Sequence, residues 1–176
     1  MSSQLHSVLF DKGVIRRVYE RRVRLALSTP PTSSQVEAAN VYAQLCLRPC
    51  HLYITEQTAN ILRRRPSIFA SSLLASTYSL QKGRYLRRWA RRLRALMFAP
   101  EDAIVLAYGS FGVDLRVLRL GVEVIVTNDL KLATHFATNE AEIARRFHEM
   151  IAQLPAPYTT LTLPEVVTTT RLLTRI

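Results

Sequence analysis

The sequence is poor in cysteine, in long apolar runs and in acidic residues. Its two cysteines, Cys46 and Cys50, form a lone CxxxC with no second pair or histidine cluster, which argues against a zinc site. The uncharged run over residues 67–81 is too short and too rich in serine to span a bilayer. No basic region followed by an apolar stretch opens the sequence. We therefore predict no secretory signal, no membrane contact and a cytoplasmic location.

Arginine is what the sequence has in excess. There are 24 basic residues against 13 acidic ones, which gives a net charge of +11, and 21 of the 24 are arginine. The planar guanidinium group matches phosphate oxygens and stacks on bases, so this excess favours a polyanionic partner such as nucleic acid. A compositional bias of the source genome would produce the same excess. The charge therefore indicates a class of partner without identifying it.

Short apolar runs separated by longer helical patterns predict an α/β fold with a mainly parallel sheet. Strands are expected at residues 8–10, about 51–54 and 121–126. The 176 residues suit one domain, with a core over about 7–153 and a tail, 154–176, that has the composition of an added edge strand. Helices are expected at 14–25, 35–47, 56–65, 67–79, 84–97, 100–108 and 139–153. The sequence contains neither a GxGxxG loop nor a GxSxG elbow, which argues against a dinucleotide site and a serine hydrolase.

Acidic residues stand at comparable places in several of these elements. Asp11 directly follows the first strand, Asp129 follows the last predicted strand, and Asp102 lies in the first turn of a helix. Glu56, at the start of another helix, is a fourth candidate. Ligand crevices of parallel sheets lie outside the carboxyl ends of the strands, so acids are well placed there for chemistry. The pair Asn128-Asp129 also suits a plain turn and helix cap, and that alternative stays open.

Carboxylates that crowd together repel one another and raise one another's pKa unless a cation lies between them. Oxygen ligands suit Mg²⁺ or Mn²⁺, ions that also bind water and substrate phosphates. Such an ion makes a nucleophile from water and stabilises charge on a phosphodiester. The acids therefore predict a site for Mg²⁺ or Mn²⁺ of a kind that suits phosphodiester chemistry. Asp114, in the loop before the last predicted strand, is expected to be exposed to solvent.

The segment 84–97 is a candidate surface for nucleic acid. Leu86, Trp89 and Leu93 recur at helical steps and predict an inward face, while arginines without acidic partners fill the other positions. A phosphate backbone would offset the repulsion among these arginines, although a charge run also suits a solvated face. The predicted nucleic-acid contacts are Lys12, Arg84, Arg87, Arg88, Arg91 and Arg92.

In order and spacing, these segments resemble the PIN-domain ribonucleases, including the VapC-type toxins of toxin–antitoxin pairs. The similar segments are residues 8–14, 53–56, 101–107 and 124–129, within roughly 7–137. The resemblance implies a three-layer α/β/α sandwich, an RNA substrate, an antitoxin-like protein partner and a homodimer. It also implies site residues: Asp11, Asp102 and Asp129 as ligands of Mg²⁺ or Mn²⁺, Glu56 as a catalytic aid, and Thr127 and Asn128 as supports.

Two positions depart from that family's pattern. Lys12 and Gly13 stand where the family usually has a threonine or similar residue and then asparagine or serine, and Lys12 could neutralise the acids or contact a phosphate. The family's glutamate commonly lies further into its helix, where this chain has Asn60 one turn after Glu56. Two alternatives to a metal-dependent endoribonuclease follow. One is a PIN-like module that binds nucleic acid without cleavage, and the other is a protein whose arginine face docks an acidic partner.

Overall fold

The computed structural model describes residues 5–176, which contain seven strands, nine α-helices and one 3₁₀ helix. None of these helices is both long enough and apolar enough to cross a membrane. In chain order the elements are β1 (Ser7–Phe10), α1 (Lys12–Ala26), α2 (Ser33–Cys46), β2 (His51–Thr55), α3 (Glu56–Arg63), α4 (Ile68–Ser76), β3 (Tyr78–Lys82), α5 (Leu86–Arg94), α6 (Pro100–Phe111), β4 (Gly112–Asp114), β5 (Arg119–Leu120), β6 (Val124–Thr127), α7 (Leu130–Thr138), α8 (Glu140–Ile151), the 3₁₀ helix (Tyr158–Thr160), β7 (Glu165–Thr168) and α9 (Thr169–Leu173).

The strands form one sheet in the order β5-β4-β3-β2-β1-β6-β7. The strands from β3 to β7 in that order are parallel, and β4 and β5 add an antiparallel hairpin at one edge. At the centre, Val8 of β1 pairs with Leu52 on one side and with Val124 on the other. Both β1 and β6 are buried along their whole length, as unbroken apolar runs in central parallel strands should be. The prediction of an α/β fold with a mainly parallel sheet is confirmed.

The two faces of the sheet pack against separate hydrophobic cores, because successive strand residues point to opposite faces. Leu9 and Ile125 belong to a core that includes Trp89 of α5. Phe10 and Val126 belong to the other core, together with residues of α1 and α2. Each face thus has its own set of helices, and the strand ends between them remain accessible.

One expected helix is in fact a helix and a strand. The sequence predicts a single buried helix over 67–79, but α4 ends at Ser76 and Thr77 is extended, with φ −128° and ψ 158°. β3 then begins at Tyr78 and pairs in parallel with β2. Periodicity does not separate a short apolar run in a buried helix from one in a strand, and pairing with β2 decides the outcome here.

The tail supplies the outermost strand on the side of β6. β7 runs parallel to β6, with Thr127 beside Thr168. α9 follows β7 directly and packs against α2. The end of the chain therefore lies beside the strand end that carries Asn128 and Asp129.

Candidate functional site

The carboxyl ends of β1 and β6 bring Asp11 and Asp129 to the same edge of the sheet. The strands are adjacent, with Phe10 paired to Val126, and the Asp11 N–H donates to the Val126 carbonyl at 2.9 Å. The buried hydroxyl of Thr127 links the two acids, because it donates to Asp11 Oδ2 at 3.1 Å and accepts from the Asp129 N–H at 3.0 Å. The predicted supporting role of Thr127 thus has a specific geometric form.

Asp129 is also the N-cap of α7. Its Oδ1 accepts hydrogen bonds from the backbone N–H groups of Lys131 at 2.8 Å and Leu132 at 3.1 Å. Capping uses one carboxylate oxygen, and Oδ2 has no partner among the described residues. The capping role and a ligand-binding role are therefore compatible in this residue.

The first turn of α6 supplies the third acid, Asp102, where the helix dipole favours a negative charge. Asp11, Asp102 and Asp129 line one cleft of about 950 Å³, a volume typical of ligand sites. Burial raises the pKa of Asp102, and the charges of Asp129 and Asp11 raise it further. Burial also raises the pKa of Asp11, against the lowering effect of its hydrogen bond from Thr127. The three carboxylates are close enough for their charges to interact.

The donor chemistry of these acids suits a hard divalent cation. Asp102 receives no hydrogen bond from any described side chain. Burial and then the charges of the neighbouring carboxylates raise its pKa. Carboxylate oxygens are the ligands that Mg²⁺ and Mn²⁺ prefer. Within residues 5–176, no three His, Cys, Asp or Glu side chains lie close enough together to hold an ion as a group. The three acids therefore suit a divalent ion because their donor atoms are of the right type and they line one cleft. They do not form a complete set of ligands around one point.

Glu56 does not line this cleft. Its neighbours Thr55, Gln57 and Thr58 line the cleft. The charge of Glu56 is felt instead by Tyr108, whose pKa is raised to about 12 by burial and then by Glu56. The Tyr108 hydroxyl is buried without a hydrogen-bond partner in the part of the chain that the structure describes. Successive helical residues point about 100° apart, so the first residue of α3 faces a different direction from the residues on either side. The structure brings together three of the four predicted acids.

Lys12 lies at the cleft and pairs with the acid that precedes Asp102. Its Nζ is 2.5 Å from Glu101 Oε2, and both side chains are exposed. The hydrogen bond from Lys12 lowers the pKa of Glu101. Exposed ion pairs of this kind contribute little to stability, so a phosphate in the cleft could compete for the Lys12 ammonium group.

Asn128 is connected to the tail of the chain. The Thr169 hydroxyl lies 2.5 Å from Asn128 Oδ1 and also contacts the carboxylate of Glu37. One hydroxyl carries one hydrogen, and the buried Nδ2 of Asn128 lacks a partner within residues 5–176. If the amide is turned over, Nδ2 donates to Thr169 and Thr169 donates to Glu37, which satisfies all three groups. Thr169 and Glu37 are supporting residues that the sequence analysis missed.

The predicted arginine face consists of four arginines on α5 and of Arg84, two residues before that helix, and it does not line the cleft. Its members form no ion pair with an acid of residues 5–176: Arg84, Arg87, Arg88, Arg91 and Arg92. Arg88 instead donates to Gln153 at 3.3 Å, and Arg92 donates to the carbonyl of Arg146 at 3.3 Å. α5 ends only a few residues before α6 begins, so its last turn lies near the helix end that carries Asp102.

Other basic residues line the cleft itself. Arg16 and Arg17 of α1 do so, as does Arg65 in the turn after α3. The Arg65 guanidinium lies 5.3 Å from the centre of the Tyr19 ring, another cleft residue. A signal for Arg16 was present in the sequence, because it follows Lys12 by four residues and shares its helix face. The cleft therefore combines a carboxylate end with a basic wall.

Neither the protein-family models nor the curated proteins give a significant match to this chain. The resemblance to PIN-domain ribonucleases therefore depends on the segments quoted above.

Proposed function

We propose that this protein is a metal-dependent endoribonuclease of the PIN-domain type, with the three-layer α/β/α architecture of that family. The observation that supports it best is that Asp11, Asp102 and Asp129 line one cleft, in which the Thr127 hydroxyl links Asp11 to Asp129. Three ionised carboxylates around one cleft are unfavourable by themselves, and a divalent cation would offset their repulsion. An arrangement that is costly without a ligand indicates a binding site.

Asp11, Asp102 and Asp129 would hold Mg²⁺ or Mn²⁺, which when bound supplies an activated water and stabilises charge on the phosphodiester. The protein's own contribution is to orient those acids. Thr127 fixes Oδ2 of Asp11, and the first N–H groups of α7 fix Oδ1 of Asp129. Side chains that are held in this way lose little freedom when a ligand binds, which favours preorganised sites.

The basic wall of the cleft would bind the RNA backbone. Arg16, Arg17 and Arg65 offer guanidinium groups to phosphate oxygens, and the net charge of +11 attracts a polyanion over longer distances. The arginines of α5, near the end of the helix that carries Asp102, would extend this surface. RNA as the substrate, a homodimer, an antitoxin-like partner and a cytoplasmic location are further parts of the proposal, from the resemblance.

A second candidate is a module of the same fold that binds nucleic acid, or an acidic partner protein, without cleavage. Two observations favour it: Glu56 lies outside the cleft, and Lys12 stands at a position where the family usually has a hydroxyl group. Fewer acids and an added cation would both weaken the hold on a divalent ion.

Cleavage of end-labelled single-stranded RNA, in Mg²⁺, in Mn²⁺ and in EDTA, separates the two candidates. We expect the wild type to cleave only with a divalent ion, and the double variant Asp11→Asn/Asp129→Asn to bind RNA without cleaving it. Glu140→Gln, a change at an exposed acid outside the cleft, is the matched control and should cleave normally. Tight binding with no cleavage in any ion would select the second candidate. Equal cleavage by the wild type and the double variant would reject the nuclease.

A further inference from the structure

A second cavity, of about 600 Å³, adjoins the carboxylate cleft. It lies between the turn that joins α5 to α6 and the helix α7. Asp102, Leu130 and Lys131 line both cavities, so the two are adjacent. The carboxylate chemistry uses only Asp102 of this second set, which leaves the rest of the cavity without an assigned role.

Met97, at the mouth of this cavity, has a backbone conformation that glycine usually adopts. Its φ is +66°, its N–H donates to the Arg94 carbonyl at 3.0 Å, and the Phe98 N–H donates to the Leu93 carbonyl at 3.5 Å. This pattern ends helices with a left-handed residue, most often glycine. The Met97 side chain is 85% exposed, so packing within the fold does not explain a methionine there. Strained residues of this kind cluster at ligand sites.

The cavity has a second exposed apolar residue on α7, and His135 links α7 to the turn before α6. Leu130 is 69% exposed although it begins a helix that packs on the core. The ring of His135 packs edge-on against Phe98 with 4.4 Å between centroids, and its Nε2 lies 2.8 Å from the Leu96 carbonyl oxygen. Because a carbonyl oxygen only accepts, that nitrogen carries the hydrogen, and His135 ties the turn before α6 to α7.

We propose that this cavity binds a nucleobase of the RNA strand whose phosphate lies in the carboxylate cleft, an inference that rests on the proposed function for the position of that phosphate. Exposed Met97 and Leu130 offer apolar contacts to the faces of a planar ring, and a thioether is well suited to an aromatic surface. Thr134, Thr138 and Lys131 add polar groups that can bond to the edge of a base. The two cavities share Asp102 as a lining residue, so a base in one and its phosphate in the other would lie side by side, as their covalent link requires.

The test compares a labelled single-stranded oligoribonucleotide of mixed sequence with an abasic analogue of the same length, both bound in EDTA so that cleavage does not interfere. We expect the wild type to prefer the base-containing strand by about 10-fold or more. Met97→Gly should lose most of this preference, with a Kd that rises about 10-fold for the normal strand and hardly at all for the abasic one. Glycine suits the left-handed conformation, so the variant should remain folded, which its thermal unfolding will check.

Leu118→Gly is the matched control. Leu118 also has a left-handed backbone, with φ +52°, and its side chain is 81% exposed. It lies in the β4–β5 hairpin, which β3 and β2 separate from β1, and it lines neither cavity, so this variant should bind like the wild type. Equal losses in the two variants, or unchanged binding by Met97→Gly, would overturn the proposal.

The same measurements separate a failure of the base site from a failure of the proposed nuclease activity. Base-dependent binding without cleavage in Mg²⁺ or Mn²⁺ would reject the nuclease and keep the base site. Metal-dependent cleavage of normal RNA by a protein that binds the abasic strand equally well would reject the base site and keep the nuclease.

Discussion

Two regions of the sheet hold aspartates in opposite electrostatic states. In the antiparallel hairpin at the edge of the sheet, Asp114 is 1% exposed and accepts hydrogen bonds from the Tyr53 hydroxyl at 3.0 Å and from Arg116 Nη2 at 2.6 Å and Nε at 3.0 Å. The hydrogen bond from Arg116 contributes most to lowering the pKa of Asp114 to about 2. The Arg116 guanidinium also lies 3.4 Å from the centre of the Tyr78 ring. The expectation that Asp114 is exposed was wrong, because the hairpin buries it against its own cation.

At the carboxyl ends of the parallel strands, Asp11 and Asp102 have raised pKa values, and Asp102 is raised in part by its neighbours. No arginine there forms an ion pair with these acids among the described residues. The difference separates two uses of an aspartate. An acid neutralised within the chain stabilises the fold, whereas acids that repel one another lower stability until a ligand neutralises them.

The largest expected effect is on the structural side of this comparison. Arg116→Met leaves the buried charge of Asp114 with Tyr53 and a backbone N–H, and should lower the free energy of unfolding by about 3 kcal/mol at neutral pH. Urea unfolding measures it, with Arg171→Met, at an exposed arginine, as the control. In the wild type, the contribution of Asp114 is present above its usual pKa of 3.8 and is lost as the pH falls toward about 2. The variant should lack that dependence, and wild-type stability in Arg116→Met would contradict the structural role of Asp114.

The next effect is on the link between the two carboxylates. Thr127→Val removes the hydroxyl that orients Asp11 and Asp129, and should reduce metal-dependent RNA cleavage by about 10- to 100-fold. Thr127→Ser keeps the hydroxyl and should retain most of the rate. Cleavage rates across a series of Mn²⁺ concentrations provide the measurement. A valine variant as active as the serine variant would show that the hydroxyl does not position the acids.

The smallest effect concerns repulsion within the cleft. In EDTA at neutral pH, Asp102→Asn should be slightly more stable than Glu101→Gln. Both variants lose a charge that the helix dipole favours, but only Asp102 is near Asp11 and Asp129, while Glu101 loses its pair with Lys12. Parallel urea unfolding curves make the comparison. Equal stabilities, or a less stable Asp102→Asn, would contradict the claim that the cleft acids destabilise the metal-free protein.

Local patterns in the sequence predicted the parallel sheet and the position of three acids beside one cleft. A β-branched run followed at once by a polar residue fixes both a strand and the point where it ends, which is why Asp11 and Asp129 could be assigned to one sheet edge. Pro100 and the acids after it are a helix start that is readable from the sequence alone. These assignments needed only a few consecutive residues and the rule that parallel strands end at a common edge.

The parts that sequence did not predict depend on contacts between distant residues or on the direction of a single side chain. Glu56 lies outside the cleft because, as the first residue of α3, it faces a different direction from its neighbours. An error of one residue in the predicted start of a helix changes that direction by about 100°. The contact between Thr169 and Asn128 spans 41 residues and requires the tail to pair with β6. Arg65 reaches the cleft from the turn after α3. Such contacts follow from tertiary packing and leave no local pattern.

The most direct test of the central claim is the thermal unfolding of the wild type and of Asp102→Asn, each with and without Mn²⁺, from about pH 4 to pH 8. In EDTA, the raised pKa values of Asp11 and Asp102 predict that wild-type stability falls as the pH rises through them, because the folded state then loses protons that offset the burial of both carboxyl groups and the repulsion on Asp102. Mn²⁺ at 100 times its Kd should stabilise the wild type by about 2.7 kcal/mol and so raise its unfolding temperature. It should also flatten the dependence of that stability on pH. Asp102→Asn should gain much less. An equal gain in both proteins, or no gain in either, would contradict a shared cation site.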